Sequence, residues 1–153
     1  MRYLFNHAHL VIDGNKEYID GALLVEDEHI EEVYHNANKL NIEGDYKEID
    51  CNGLLIFPGF FDTHTHGIDR MSFDDCSLEE MDKISYEFAK SGTTSYLGSI
   101  SYDCLPKDYD ARFELLNGYE TKYARVVGIH MEGPFSLKRK RGTERRICKA
   151  AGF

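Results

Sequence analysis

Pro58-Gly59-Phe60-Phe61-Asp62-Thr63-His64-Thr65-His66-Gly67 places two histidines two residues apart behind an apolar run, and the rest of the chain is read from there. In an extended chain, side chains at i and i+2 share a face, so His64 and His66 can converge on one ion while Thr65 turns away. The run Leu54-Leu55-Ile56-Phe57 reads as a strand buried on both faces, as in a parallel sheet, with the histidines at its C-terminal end. Parallel α/β folds gather their chemistry at that end. Taken alone, the pair leaves two readings open: a metal site, or surface and hydrogen-bonded histidines beside a turn.

A second apolar run, Val126-Val127-Gly128-Ile129-His130-Met131-Glu132-Gly133-Pro134-Phe135, also ends in residues able to bind a metal. Two strands of one parallel sheet that both finish in His or Glu are what a site built across strand ends requires. On these residues the chain resembles the N-terminal part of the N-acetylglucosamine-6-phosphate deacetylases, in the amidohydrolase superfamily. The pattern Pro-Gly-Phe-x-Asp-x-His-x-His-Gly is shared by much of the superfamily, whereas His-Met-Glu-Gly-Pro-Phe is close to diagnostic of the deacetylase branch.

The resemblance implies an α/β fold, a metal-dependent-hydrolase (β/α)8 barrel beside a small β-sandwich. It also implies an activity, deacetylation of N-acetylglucosamine 6-phosphate to glucosamine 6-phosphate and acetate in amino sugar catabolism. His64 and His66 would hold one divalent ion, Zn or Fe, with Glu132 holding a second or bridging both. Two neutral imidazoles and a carboxylate suit such an ion, with a position left open for water. The partner implied is a small-molecule amino sugar phosphate, and the complete enzyme would be a homo-oligomer. Lys140-Arg141-Gly142-Thr143 matches a turn of the family, which gives Thr143 a substrate contact. Glu144 then departs from the family's His or Gln, and the match ends. The general base, an aspartate of the family's later strands, is expected downstream and has no counterpart in this sequence.

Length bears on this. A (β/α)8 barrel takes roughly 250 residues, and the chain has 153. The whole barrel does not fit, and the alternation of strands and helices after residue 54 makes about three βα units, an incomplete barrel. Three readings of the chain stay open: an N-terminal fragment of the deacetylase, a catalytically inactive truncated remnant, or part of another amidohydrolase such as a dihydroorotase-like or deaminase enzyme.

The net charge is −9, and it is unevenly spread. The run from Lys138 to Lys149 carries seven cations against Glu144, so the preceding body is strongly acidic. This basic tail, 138–153, lacks interleaved aromatics and reads as a solvated loop; no nucleic acid is expected. Cys51, Cys76, Cys104 and Cys148 form no Cys-x-x-Cys pair, and isolated thiols favour a reducing, cytoplasmic setting. The start, Met1-Arg2-Tyr3-Leu4-Phe5-Asn6-His7, breaks its apolar run too early for a signal peptide, and no stretch approaches the roughly 18 apolar residues of a membrane span.

Residues 1–53 read as short strands, His9 to Ile12, Ala22 to Val25, Ile30 to Val33 and Tyr46 to Ile49, forming part of the sandwich. His29 stands where the family's hairpin has Gly, so either His29 takes positive φ or the turn differs. From residue 54 to 153 strands and helices alternate. Ser77 with Glu80 signals a capping box, and Leu78, Met81, Ile84 and Phe88 then share a helical face up to Gly92. Thr93 to Ile100 is the next strand, Pro106 to Tyr119 the second helix with Tyr109, Phe113 and Leu116 on one face, and Arg125 to Met131 the third strand.

Single residues are read as follows. Asp62 either fixes a histidine tautomer or serves as a structural acceptor at the strand end. His130 is taken to face away from Glu132, as a packing or hydrogen-bonding residue. His7, His9, His29 and His35 are surface residues without convergent partners, and Tyr102, Tyr109, Tyr119 and Tyr123 pack helices or line a rim.

Overall fold

The computed structural model describes residues 1–101 and 106–132; Tyr102, Cys104, Thr143, the basic run and Cys148 lie outside them. Two units, Met1–Pro58 and Gly59–Phe153, each fold around their own contacts.

In the first unit, β1 (Arg2–Asp13), β2 (Lys16–Glu26) and β3 (His29–Tyr34) form an antiparallel meander. Strands β4 (Lys47–Asp50) and β5 (Leu55–Ile56) run parallel to β1 along its other edge, one beyond the other. The pattern of β1 explains its place at the centre: Leu4, Asn6, Ala8 and Leu10 are buried and their neighbours are not, the period of two of a pleated strand. Leu4 packs with Ala22 and Leu24, and Ala8 and Leu10 with Cys51. The one polar member, Asn6, donates from Nδ2 to Glu48 Oε1 at 2.7 Å, so its burial leaves no amide unpaired on that side. Near His7, which has φ 51°, the β1–β2 register slips, a bulge that bends the strand.

Two expectations are corrected in this unit. The Leu54–Phe57 run is not a strand buried on both faces. Leu54, Leu55 and Phe57 are exposed, and Leu55–Ile56 pairs with His9–Leu10 of β1 instead of entering the parallel sheet. A two-residue strand at a sheet margin can bury only one side chain inward, here Ile56. In the 27–29 turn, positive φ falls on Asp27 (φ 51°) and His29 begins β3, so the turn differs and His29 is unstrained. Asp tolerates this region better than most residues. Its backbone N–H also donates to Met1 O at 3.1 Å, and its carboxylate meets the N-terminal ammonium.

In the second unit, β6 (Phe60–Thr65) leads through a small hairpin, β7 (Gly67–Ile68) and β8 (Met71–Ser72), into α1 (Leu78–Lys90). Then come β9 (Thr93–Ile100), α2 (Pro106–Asn117) and β10 (Arg125–Met131). The three longer strands form one parallel sheet in the order β10-β9-β6, each successive pair joined by a helix. The fold of this unit is α/β.

Helix α1 starts where the sequence signals it. Ser77 Oγ accepts from Glu80 N–H while Glu80 Oε2 accepts from Ser77 N–H, a reciprocal capping box. Met81, Ile84, Ser85 and Phe88 are its buried residues, while Leu78, at the first helical position, is exposed. Gly92, φ +87°, follows the helix in the left-handed conformation that stops it. The core centres on Tyr96, fully buried, stacked on Phe73 at 5.5 Å between centroids and edge-on to Phe88 at 4.8 Å. Its hydroxyl reaches Ser85 Oγ at 2.9 Å. Helix α2 closes the core with Leu116, backed by Tyr109 and Phe113 as expected. Among the described residues Cys51 and Cys76 are free and buried, and burial pushes the Cys76 thiol up to about 11.

Candidate metal centre

His64 lies in β6, and His66 and Glu132 lie one residue past the ends of β6 and β10. The central strand β9 stops at Ile100, whose carbonyl accepts the Glu132 N–H at 3.1 Å and so carries the parallel ladder up to the carboxylate. All three side chains thus rise from the C-terminal edge of one sheet.

They meet there. His64 Nε2 is 3.3 Å from His66 Nε2, and His66 Nε2 is 3.2 Å from Glu132 Oε2. One ligand atom from each lies within 4.8 Å of the other two. Donors held roughly 2.0–2.1 Å from a tetrahedral ion stand about 3.3 Å from one another. The two close separations match that edge length, and two imidazole nitrogens with a carboxylate oxygen form a donor set suited to Zn²⁺ or Fe²⁺. The residues present therefore fit a divalent metal. The His66 and Glu132 side chains are partly shielded, 38% and 22% exposed, and His64 is exposed.

The neighbouring groups sort the remaining sequence candidates. Asp62 acts as a structural acceptor: its Oδ1 takes the His64 backbone N–H at 3.0 Å. The reading of His130 as facing away from Glu132 is corrected. His130 lies two residues before Glu132, so pleating puts both on one face, and its ring sits 4.4 Å from the His64 ring. It is a hydrogen-bonding residue all the same, with Nδ1 at 3.1 Å from Ser99 Oγ. His7 and His9 do have partners, Asp20 Oδ1 and Glu17 Oε2, each at 2.8 Å across the β1–β2 pair. The Asp20 hydrogen bond raises the His7 pKa above its ordinary value.

Sequence reasoning did not single out Ser99, Ser101 or Asp74. Ser101 Oγ lies 3.4 Å from His66 Nδ1, and the Ser101 N–H donates to Asp74 Oδ1 at 2.7 Å. Two serines spaced i, i+2 at the end of the central strand were the available signal.

No family model matches the chain. Among curated proteins it is 32% identical over 102 residues to an N-acetylglucosamine-6-phosphate deacetylase of Lysinibacillus sphaericus, a match covering 63% of this chain and 26% of that protein. It is 26% identical over 152 residues to a Wolbachia dihydroorotase, covering 97% of this chain and 32% of that one. The chain thus spans about a quarter to a third of the relatives it matches. Among solved structures, an N-acetyl-D-glucosamine-6-phosphate deacetylase from Mycobacterium smegmatis aligns with TM-score 0.67 at 21% identity, over 93% of this chain and 38% of that one. That likeness shows the fold. On the sequence matches, the chain resembles, over part of their length, N-acetylglucosamine-6-phosphate deacetylases of the amidohydrolase superfamily.

Proposed function

We propose that this chain carries the ion-binding half of a metal-dependent hydrolase that removes the acetyl group of N-acetylglucosamine 6-phosphate. The observation behind this is the convergence of His64, His66 and Glu132 from two strand ends. The deacetylase assignment comes from the curated relatives. In this reading the three parallel strands are the first of a (β/α)8 barrel, and Thr143 touches substrate.

Bound there, a divalent cation supplies Lewis acidity toward an amide carbonyl and acidifies water. The chain's own residues capture and orient. His64 and His66 present Nε2 lone pairs from one strand, and Glu132 offsets the ion's charge from the other. Asp62 fixes the backbone of His64. His130, held by Ser99, packs against the His64 ring and limits its rotation. Protonating the leaving amine needs an acid beyond these groups, an aspartate of the complete enzyme. The residues named here account for metal capture and orientation, and the expectation for them alone is binding with acetate release at background.

The test pairs two measurements on the 153-residue chain. Titration with Zn²⁺ or Fe²⁺ is expected to saturate, and Glu132→Ala to weaken it. Acetate release from N-acetylglucosamine 6-phosphate is expected to stay at background. Turnover abolished by Glu132→Ala would refute the division of labour, and absence of any saturable metal uptake would refute the metal centre. The second reading, a cyclic-amide hydrolase, is favoured by the dihydroorotase match. A longer protein carrying this segment that hydrolysed dihydroorotate and left the acetylated sugar phosphate intact would establish it.

A further inference from the structure

Resting on the metal-centre reading, we propose that Ser101 is the positioning residue of the site. It holds the His66 imidazole with Nε2 toward the ion, and Asp74 anchors it in turn. The central strand would then contribute no ligand yet set the aim of one.

The chain after His66 makes an excursion and comes back. It turns through β7 and β8, and the Phe73 N–H donates to the His66 carbonyl at 3.0 Å, while the Phe73 ring is fully buried against Tyr96. The backbone of His66 is thereby pinned to the core. Asp74 is the next residue, and its Oδ1 takes the Ser101 N–H at 2.7 Å. That bond fixes the first residue past β9, which sets Ser101 Oγ 3.4 Å from His66 Nδ1. The same excursion thus holds His66 twice, through its carbonyl and through its ring.

A hydroxyl suits this place because it can donate or accept. His66 Nε2 sits 3.2 Å from Glu132 Oε2. While Nε2 carries the proton and gives it to Glu132, Ser101 Oγ–H donates to the Nδ1 lone pair. When Nε2 serves as a ligand, Nδ1–H donates to Ser101 Oγ instead. In both states the ring keeps its orientation. A metal-bound histidine needs such a partner on its other nitrogen, and loss of one commonly costs 10–100-fold in metal affinity. Ser99 repeats the device one step earlier on the strand, with its Oγ 3.1 Å from His130 Nδ1. Alternate residues at the end of β9, Ser99 within it and Ser101 just past it, therefore serve the two flanking strands in turn.

The test is Zn²⁺ affinity of the full chain by chelator competition, together with ¹⁵N shifts of the His66 ring. Ser101→Ala is expected to weaken Zn²⁺ at least tenfold and to leave His66 in mixed tautomers in the loaded protein. Ser101→Thr, which keeps the hydroxyl, is expected to stay within threefold of the unaltered chain. Should Ser101→Ala lose its fold by circular dichroism, Asp74→Ala gives the same readout, since it frees the Ser101 backbone and leaves the hydroxyl. Zn²⁺ affinity within threefold of the unaltered chain in Ser101→Ala, with His66→Ala abolishing binding, would overturn the inference and spare the metal centre. No saturable uptake by the unaltered chain would overturn both.

Discussion

Tyr96→Phe should reverse its effect on stability as pH rises. Tyr96 is fully buried on β9, edge-on to Phe88, with its hydroxyl 2.9 Å from Ser85 Oγ. Burial pushes its pKa from the ordinary 10 up to about 12, the Ser85 bond opposing this only in part. The sign follows from which form the core accepts. The neutral phenol is buried, so the stability it contributes is complete below pH 10 and is lost as pH rises through 12. At pH 11 the unfolded phenol has ionised about tenfold in excess of neutral and the folded one has not, a loss of about 1.4 kcal/mol. At pH 8.5 ionisation contributes nothing, and removing the hydroxyl costs about 1 kcal/mol for the lost hydrogen bond. Urea unfolding of both proteins at pH 8.5, 10 and 11 reads the difference. The variant is expected to trail at pH 8.5 and to draw level or lead at pH 11. A gap that stays constant to within about 0.3 kcal/mol over this range, small against the expected 1.4, would refute the reasoning.

Ser77→Ala removes one half of the capping box and should cost about 1 kcal/mol, read as a lower urea midpoint with an unchanged slope. Gly67→Ala places a Cβ 2.1 Å from the Met71 carbonyl oxygen at φ +124°. It should cost more than the cap change and, because this hairpin returns to His66, weaken Zn²⁺ uptake as well. Zn²⁺ at a hundred times its dissociation constant should stabilise the chain by about 2.7 kcal/mol, a gain that Glu132→Ala removes and that a differential thermal scan measures.

The sequence was most legible where the signal was local. Ser77 and Glu80 cap α1 as their spacing says, and the His64/His66 pair meets Glu132 because pleating and strand ends are properties of a few residues. It was least legible where neighbours in space decide. Leu54–Phe57 is as apolar as a buried strand, yet it lies along β1 with most of its side chains in water, since burial depends on what a strand packs against. The partners of His7 and His9 depend on a β1–β2 register interrupted by bulges. Positive φ at Asp27 instead of His29 reflects where the hairpin turns. Ser101 and Asp74 meet only through the return of the β7–β8 hairpin. His130 was within reach, because counting two residues back from Glu132 gives its face.

The three-strand order has a last consequence, one of span. Neighbouring strands stand about 4.8 Å apart, so the backbones of β6 and β10 are separated by roughly 10 Å. Yet His66 Nε2 and Glu132 Oε2 come within 3.2 Å of each other. The two side chains form an arch over β9, and only long ones can close it. An aspartate at 132 would fall about one carbon–carbon bond short. Between the two strands the end of β9 places Ser99, fully buried, 3.1 Å from His130 Nδ1, and Ser101, one residue past the strand, 3.4 Å from His66 Nδ1. A residue as large as phenylalanine at Ser99 would prop the arch open, so the spacing offered to an ion is written in the girth of a strand that supplies none of its ligands.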